Sequence, residues 1–286
     1  MYRTLMKEWP MTGRFSMVKY LITGGSGSLG EALLGRLKGE VRVLSRSEKG
    51  QIPLRNKYPN VEFILGDVRD AQAVRNAMKG VDVVIHAAAF KFLDLAETQA
   101  RECALINVLG SINVLDAAID EPSVKKCIGI STDKAVYARN VYGCTKHIME
   151  KLFIEASRVS KKKFACVRYG NVLGTTGSVL TIWKQQAEAN KPITVTDRRM
   201  RRFFFSVDEA VDLILYALKH TKGGEVFTVK MPSYSIYDMA KQYSDNIVET
   251  GLRLGEKINE TLIGDYEAKT EYTSKESGNG EIVVLK

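Results

Sequence analysis

With 286 residues, 45% hydrophobic and 26% charged, the chain is long enough to bury a full core and has the balance of an ordinary soluble globule. No apolar run approaches the roughly 18 residues of a membrane span, and residues 1–16 lack the continuous apolar core of a secretory signal. The net charge of +9 points to an anionic partner, either nucleic acid or a phosphate-rich ligand in a basic pocket, or else to scattered solvated lysines.

The four cysteines, Cys103, Cys127, Cys144 and Cys166, have no metal-ligand spacing and read as reduced thiols in a reducing compartment. No metal site is expected. Residues 1–16 read as a peripheral extension ahead of a second methionine, Met17.

Residues 18–22 predict a short apolar strand. Thr23-Gly24-Gly25-Ser26-Gly27-Ser28-Leu29-Gly30 follows at once, then a helical stretch over 31–37. Gly24, Gly27 and Gly30 form G-x-x-G-x-x-G between strand and helix. Glycines there let the backbone turn tightly and approach a pyrophosphate at a helix N-terminus. The loop, with Ser28 and Leu29, therefore reads as a dinucleotide site.

Residues 40–44 predict the second strand, ended by Ser45 and Arg46, with Lys49 beyond. An NAD-binding chain usually places a carboxylate here for the ribose 2′-hydroxyl. A guanidinium instead suits a 2′-phosphate, which a carboxylate would repel. The expected cofactor is NADP; the other reading of Arg46 is a solvent-facing side chain.

The third strand, 61–65, runs into Gly66-Asp67-Val68, and 71–78 predicts a helix. The fourth strand, 81–85, ends in His86-Ala87-Ala88-Ala89-Phe90-Lys91. Small residues at Ala87, Ala88 and Ala89 let the backbone pass under the cofactor's ribose and nicotinamide, and Lys91 points into the crevice. His86, on an apolar strand, reads as a core histidine with satisfied hydrogen bonds. A long amphipathic helix over 102–118 carries Asn107.

The stretch 131–146 carries the chemistry. The apolar run 127–130 reads as a buried parallel strand, which delivers its next residues to the carboxyl edge where ligands bind. Ser131, Thr132, Asp133 and Lys134 should line a crevice there. Tyr142 and Lys146 are one helical turn apart and face one way. An ammonium beside a phenol favours phenolate and lowers its pKa, making a base for a sugar hydroxyl. Alone, Y-x-x-x-K recurs by chance as a surface Tyr and Lys.

A helix continues to about 160, where Lys161, Lys162 and Lys163 suit its C-terminal dipole. Residues 163–167 predict a strand leading into Arg168-Tyr169-Gly170-Asn171-Val172-Leu173-Gly174 and a turn-rich stretch. Strands alternating with helices give an α/β, doubly wound parallel sheet of Rossmann type.

Further helices are expected over 183–190, 208–220 and 235–246 and around Glu260. Strands are expected over 193–197, 225–230 and 282–285. The cluster Arg198, Arg199, Arg201 and Arg202 fits a diphosphate, nucleic acid or solvent. The expected organisation is an extension (1–16), an NADP-binding domain (17–177, with 205–230 returning to it), and a smaller C-terminal substrate lobe (178–204 and 231–286).

T-G-G-S-G-S-L-G (23–30), S-R (45–46), H-A-A-A-x-K (86–91), S-T-D-K-A (131–135), N-x-Y-G-x-T-K (140–146), R-Y-G-N-V-L-G (168–174), R-F-F (202–204) and G-L-R-x-G-E-K (251–257) together resemble one family. It is that of the inverting UDP-N-acetylglucosamine 4,6-dehydratases, in the extended branch of the short-chain dehydrogenases/reductases. The family often has Pro where Ala138 stands and His where Phe92 stands.

The resemblance implies that Asp67 and Val68 contact adenine, that Asn107 supports the site, and that Val172 belongs with the cofactor residues. It implies that Tyr142, aided by Lys146, takes the C4 hydroxyl proton while Thr132 bonds the C4 oxygen. Lys134, neutral through burial beside Lys146, acts at C5, and Asp133 protonates the leaving C6 hydroxyl. Retaining relatives usually carry Asp-Glu where Asp133-Lys134 stands, so Lys134 favours inversion. Lys91, Asn171, Ser178, Val179, Leu180, Thr196, Arg202, Arg253 and Glu256 are the implied contacts of a UDP-sugar. A cytoplasmic homo-oligomer, dimer or hexamer, without nucleic-acid or membrane partner is also implied. The rival readings are a UDP-sugar 4-epimerase, which needs no acid/base pair for C5 and C6, and a non-catalytic NADP-binding or RNA-binding protein on the same fold.

Overall fold

Short apolar runs alternating with amphipathic helices build a mostly parallel sheet in the computed structural model, which describes residues 17–174, 178–267, 269–271 and 281–285. The extension 1–16, residues 175–177 of the turn-rich stretch and most of the polar tail lie outside the described residues.

The first strands are β1 (Lys19–Thr23), β2 (Glu40–Ser45), β3 (Glu62–Leu65), β4 (Val83–His86), β5 (Lys126–Thr132) and β6 (Lys163–Tyr169). Short strands β7 (Asn171–Val172), β8 (Ile193–Val195), β9 (Arg201–Arg202) and β10 (Phe204–Phe205) follow. The last are β11 (Val226–Lys230), β12 (Tyr234–Ser235), β13 (Ile247–Glu249), β14 (Lys269–Glu271) and β15 (Glu281–Leu285).

The main sheet runs β14-β15-β11-β6-β5-β4-β1-β2-β3. Every pairing from β3 to β11 is parallel. β15 lies antiparallel to β11, and β14 antiparallel to β15. Strand order reverses between β1 and β4, so the loops leaving them diverge and open a crevice at the carboxyl edge.

The helices are α1 (Ser28–Leu34), α2 (Glu48–Lys57), α3 (Ala71–Met78), α4 (Leu93–Thr98), α5 (Ala100–Ala104), α6 (Gly110–Asp120), α7 (Val141–Val159), α8 (Val179–Glu188), α9 (Val207–His220) and α10 (Ile236–Lys241). A π-helical turn, Leu105–Leu109, joins α5 to α6.

Alternation along each strand feeds two cores. Ile22, Ile128 and Val167 pack with Leu33 of α1 and with Ala210 and Ile214 of α9. Their neighbours Leu21, Cys127 and Cys166 pack on the other face with Val74 of α3, Val114 of α6 and Phe153 of α7. Gly129 has no Cβ because one would stand 2.7 Å from the Phe153 ring. A third core, with Trp183, Ile193, Val195, Met200, Phe204, Ile236 and Ala240, holds the smaller C-terminal region together.

Several expectations need correction. From Ala100 to Asp120 the helix is long and apolar enough, by length and composition, to cross a membrane, and half of the qualifying stretch is buried within the protein. Arg101, Glu102, Asn107 and Asp116 interrupt it, so no unbroken apolar run marks it in the sequence. No helix forms around Glu260: residues 251–267 are turns and extended backbone, with Gly251 and Gly255 at φ +84° and +70°. The expected helix over 235–246 is only α10, ending at Lys241.

Lys162 donates to the carbonyls of Ala118 (2.7 Å) and Ile119 (2.9 Å), so it caps α6 rather than its own helix. Residues 269–271 and 281–285 join the main sheet and not the smaller lobe assigned to 231–286, because β15 completes the edge that β11 would otherwise expose. All four cysteines are free thiols.

Candidate active site

A cleft of about 780 Å³ opens at the carboxyl edge. The glycine loop, the ends of β2 and β3, the loop after β4, the end of β5, the start of α7 and the segment after β6 line it.

Steric demand explains part of the glycine loop. Gly24 has φ +71°, and a Cβ there would stand 2.6 Å from the Ala88 backbone; a Cβ on Gly30 would stand 2.2 Å from the Gly25 carbonyl. Gly27 differs. A Cβ there would meet only the Gly24 carbonyl, at 3.7 Å, so no protein neighbour forbids it. Its bare backbone faces the cleft at the N-terminus of α1, as a closely approaching phosphate would require.

Ser45, Arg46 and Ser47 line the cleft at the end of β2. Ser47 Oγ accepts from the Gly50 amide at 3.0 Å and starts α2. Buried Gln51 donates from Nε2 to Ser45 Oγ, Ser45 O and Ile64 O, fixing the edge from behind. Arg46 Nη1 lies 3.5 Å from Asp67 Oδ2. Burial acts to raise Asp67, but hydrogen bonds from Arg69 and the charge of Arg46 outweigh it and hold the carboxyl below its usual range. Val68 lines the cleft; Lys49 and Asp67 do not.

Ala87, Ala88, Ala89 and Lys91 line the floor. Burial lowers the Lys91 ammonium. Asn107 lies behind them: Oδ1 accepts from the Phe90 amide at 2.7 Å, and Nδ2 donates to Phe90 O and to Thr145 Oγ1, each at 3.0 Å. It ties the floor to α7 without reaching the cleft. His86 is a core residue. Its Nδ1 meets Thr23 Oγ1 at 2.7 Å and its Nε2 meets Ser111 Oγ at 3.0 Å. Because Ser111 Oγ donates to Asn107 O, the network assigns the proton to Nε2.

Ser131, Thr132 and Lys134 line the wall, while Asp133 is wholly buried behind it. Asp133 Oδ1 accepts from Thr132 Oγ1 and Lys134 Nζ, each at 3.0 Å; Oδ2 has no partner among the described residues. Lys134 Nζ also donates to Asn171 Oδ1 at 3.1 Å.

Tyr142 and Lys146 open onto the same cleft from α7. A Cβ on Gly143 would stand 2.3 Å from the Lys134 carbonyl, so this glycine lets α7 press directly on the Asp133–Lys134 turn. Lys146 Nζ donates to Ile130 O at 2.6 Å and contacts Met149 Sδ, and burial brings its pKa down to about 8. Tyr142 departs from expectation. Burial, and then the Asp133 charge, push the phenol up, with a hydrogen bond to Thr132 opposing them. The ammonium that was to lower it is turned to the Ile130 carbonyl.

Of the implied sugar contacts, Lys91 and Asn171 line the cleft, as does Val172 of the implied cofactor set. Ser178, Val179, Leu180, Thr196, Arg202, Arg253 and Glu256 do not. Ser178 Oγ pairs with Thr181 Oγ1, Thr196 Oγ1 with Met200 Sδ, and Arg253 Nη1 lies 3.4 Å from Asp94. Arg202 is buried against backbone carbonyls.

Sequence reading missed Ser26, Ser47 and Tyr169 in the lining, and Glu150 behind it. Glu150 accepts from Ser131 Oγ at 2.5 Å and from Arg168 Nε at 2.9 Å. Its signal was available: Tyr142, Lys146 and Glu150 are spaced by four on one face of α7.

The doubly wound sheet, with a glycine loop after β1 and a Tyr-x-x-x-Lys pair beside the cleft, defines an extended short-chain dehydrogenase/reductase architecture. The chain belongs to the polysaccharide biosynthesis protein family, which it matches over residues 20–279. It is 39% identical over 271 residues to a UDP-N-acetylglucosamine 4,6-dehydratase (inverting) of Campylobacter jejuni, covering 90% of this chain and 81% of that protein. It is 42% identical over 271 residues to a UDP-glucose 4-epimerase of Rickettsia bellii, covering 88% and 79%. Among solved structures it is similar to Pen from Bacillus thuringiensis, with TM-score 0.87 and 34% identity over 95% of this chain and 90% of that one.

Proposed function

We propose that this chain is a UDP-N-acetylglucosamine 4,6-dehydratase that inverts C5 and uses NADP. The observation that carries the reading is the Asp133–Lys134 pair, pressed by way of Gly143 against the turn of α7 that bears Tyr142. A 4-epimerase needs Tyr142 but no acid and base for C5 and C6.

Gly24, Gly27, Gly30, Arg46 and the floor at Ala87, Ala88 and Ala89 would hold the dinucleotide, which would supply a hydride acceptor for C4 and a donor for C6. Tyr142 takes the proton of the C4 hydroxyl, which needs Lys146 to turn from the Ile130 carbonyl toward the raised phenol, and Thr132 orients that oxygen. The resulting ketone acidifies C5–H. Lys134 and Asp133 are ion-paired at 3.0 Å, and one proton passing from Lys134 Nζ to Asp133 leaves an amine and a carboxylic acid. The amine takes the C5 proton and the acid protonates the departing C6 oxygen, which Asp133 must turn toward the cleft to reach; its Oδ2 has no partner among the described residues. As hydride returns to C6, a solvent-derived proton added to C5 from the opposite face gives the inverted 4-keto-6-deoxy sugar. Arg46, half-exposed in the cleft where β2 ends without a carboxylate of its own, favours a 2′-phosphate, which would compete with Asp67 for the guanidinium. The reading extends to a cytoplasmic homo-oligomer, dimer or hexamer; sedimentation as a monomer would remove that part.

The similar identity to a curated 4-epimerase makes product analysis the decisive test. Incubation with UDP-N-acetylglucosamine in deuterated water, followed by proton NMR, should yield a 6-methyl signal with deuterium at C5 and ring couplings of the inverted sugar. A 4-epimer as sole product would replace this reading by the epimerase. Supplying NAD and NADP in parallel should give tighter binding of NADP, and equal binding would remove that choice.

A further inference from the structure

Residues 255–257 touch both halves of the catalytic segment. Lys257 Nζ donates at 2.7 Å to the carbonyl of Val136, which ends the short turn carrying Asp133 and Lys134; the Val136 amide donates back to Asp133 O at 3.2 Å. The Gly255 carbonyl accepts from Asn140 Nδ2 at 3.2 Å. Oδ1 of that same Asn140 accepts from the Gly143 amide at 2.7 Å and caps α7 beside Tyr142. One short stretch therefore holds the end of the Asp133–Lys134 turn and the start of the Tyr142 helix.

The contact is close and buried. A Cβ on Gly255, at φ +70°, would stand 2.8 Å from Asn140 Cβ and 2.9 Å from the Arg139 carbonyl. Asn140, Lys257 and Arg202 are buried. Between the two contacts Tyr137 takes φ +47°, a conformation that costs a non-glycine residue energy and needs outside support. Its hydroxyl accepts from the Asp265 amide at 2.8 Å, and its ring packs edge-on against Tyr266.

Arg202 grips the stretch from behind. Nη1 donates to Ile258 O at 2.8 Å, and Nη2 to Lys257 O at 2.9 Å and Glu256 Oε1 at 3.4 Å. Its donors are directed at the chain, so it acts on the stretch and not on the cleft. Arg202 lies on β9 two residues after Met200 of the small core, and thus links that core to the catalytic segment.

We infer that residues 255–257 form a positioning strap, in which Arg202, Lys257 and Asn140 set the placement of the Asp133–Lys134 turn relative to Tyr142. The inference rests on the dehydratase reading. Its consequence is that proton transfer at C5 and C6 keeps pace with that at C4. Misplacement of reacting groups by about 1 Å can cost on the order of a hundredfold in rate. A loosened strap therefore penalises elimination while hydride loss from C4, with Tyr142 as base and NADP as acceptor, continues.

The test uses the full chain with cofactor and UDP-N-acetylglucosamine. Asn140→Ser retains a capping oxygen for α7 but loses the donor to Gly255. Lys257→Met is combined with Glu260→Gln, because Lys257 also pairs with buried Glu260 at 2.7 Å. In both variants the dehydration kcat should fall about tenfold or more with little change in KM. The fraction of 4-keto sugar released with its C6 hydroxyl intact should rise. If the double variant does not fold, Asn140→Ser decides alone. An unchanged released fraction, or equal losses in C4 oxidation and dehydration, overturns the strap. A wild-type protein that forms no 4-keto sugar overturns the dehydratase reading, and the strap with it.

Discussion

At the scale of single residues, the site concentrates charge where solvent is scarce. Lys146 is 2% exposed, and burial draws its pKa from 10.5 down to about 8. Between pH 8 and 10.5 the unfolded chain binds a proton there that the folded chain has released, so folding stability should rise with pH across that window. Below pH 8 the penalty is fully present, on the order of 3 kcal/mol at about 1.4 kcal/mol per pH unit. Lys91, Lys126 and Lys162 are also lowered, so the comparison must be with Lys146→Met. Denaturant titrations at pH 7.5 and 10 should show a smaller gain for the variant than for wild type; equal gains would mean that Lys146 titrates normally. His86, drawn down to about 3 by burial and then by the Lys146 charge, is neutral over the working range and keeps its structural hydrogen bonds.

At the scale of elements, a buried triad joins α7, β6 and the segment before β14. Arg168 is fully buried. Its Nη2 donates at 2.7 Å to Glu150 Oε2 and to Glu267 Oε1, and its Nη1 to Leu262 O at 2.8 Å. Such pairs add little net stability while intact, but removing the cation strands two carboxylates. Arg168→Met should cost about 3–5 kcal/mol of unfolding free energy, read from denaturant midpoints. A loss below about 1 kcal/mol would show that water reaches Glu150 and Glu267. The elements themselves were legible to unequal degrees. Apolar runs and the Asp70 and Ser206 caps mark the strands, α3 and α9 plainly, because local sequence and final environment agree there. α2 was hidden by its polar composition and by Pro53, and it persists because Gln51 is bonded into the sheet edge. The stretch around Glu260 read as helix because nothing local reveals Arg202 drawing in the carbonyls of Lys257 and Ile258. The catalytic motif was legible through its spacing. The orientation of Lys146 and the support from Glu150 depend on partners distant in the chain.

At the scale of the whole molecule, the chain leaves the main sheet after β6, builds part of the smaller region, returns as β11, leaves again, and returns as β14 and β15. Ile282, Val283, Val284 and Leu285 are each 2–3% exposed. At roughly 1.5–3 kcal/mol per buried side chain, these four side chains hold an amount comparable to the whole net stability of a typical domain, about 5–15 kcal/mol. A chain ended at residue 268 should therefore accumulate in the insoluble fraction on expression, and soluble recovery with cooperative melting would refute that ledger. The closing strand also imposes an order in time. During vectorial synthesis β11 emerges long before β15, with its pairing edge bare. The nascent protein must carry an open, apolar sheet edge until β15 clears the ribosome, so its exposure to chaperones and to aggregation is governed by the time taken to synthesise the residues between β11 and β15.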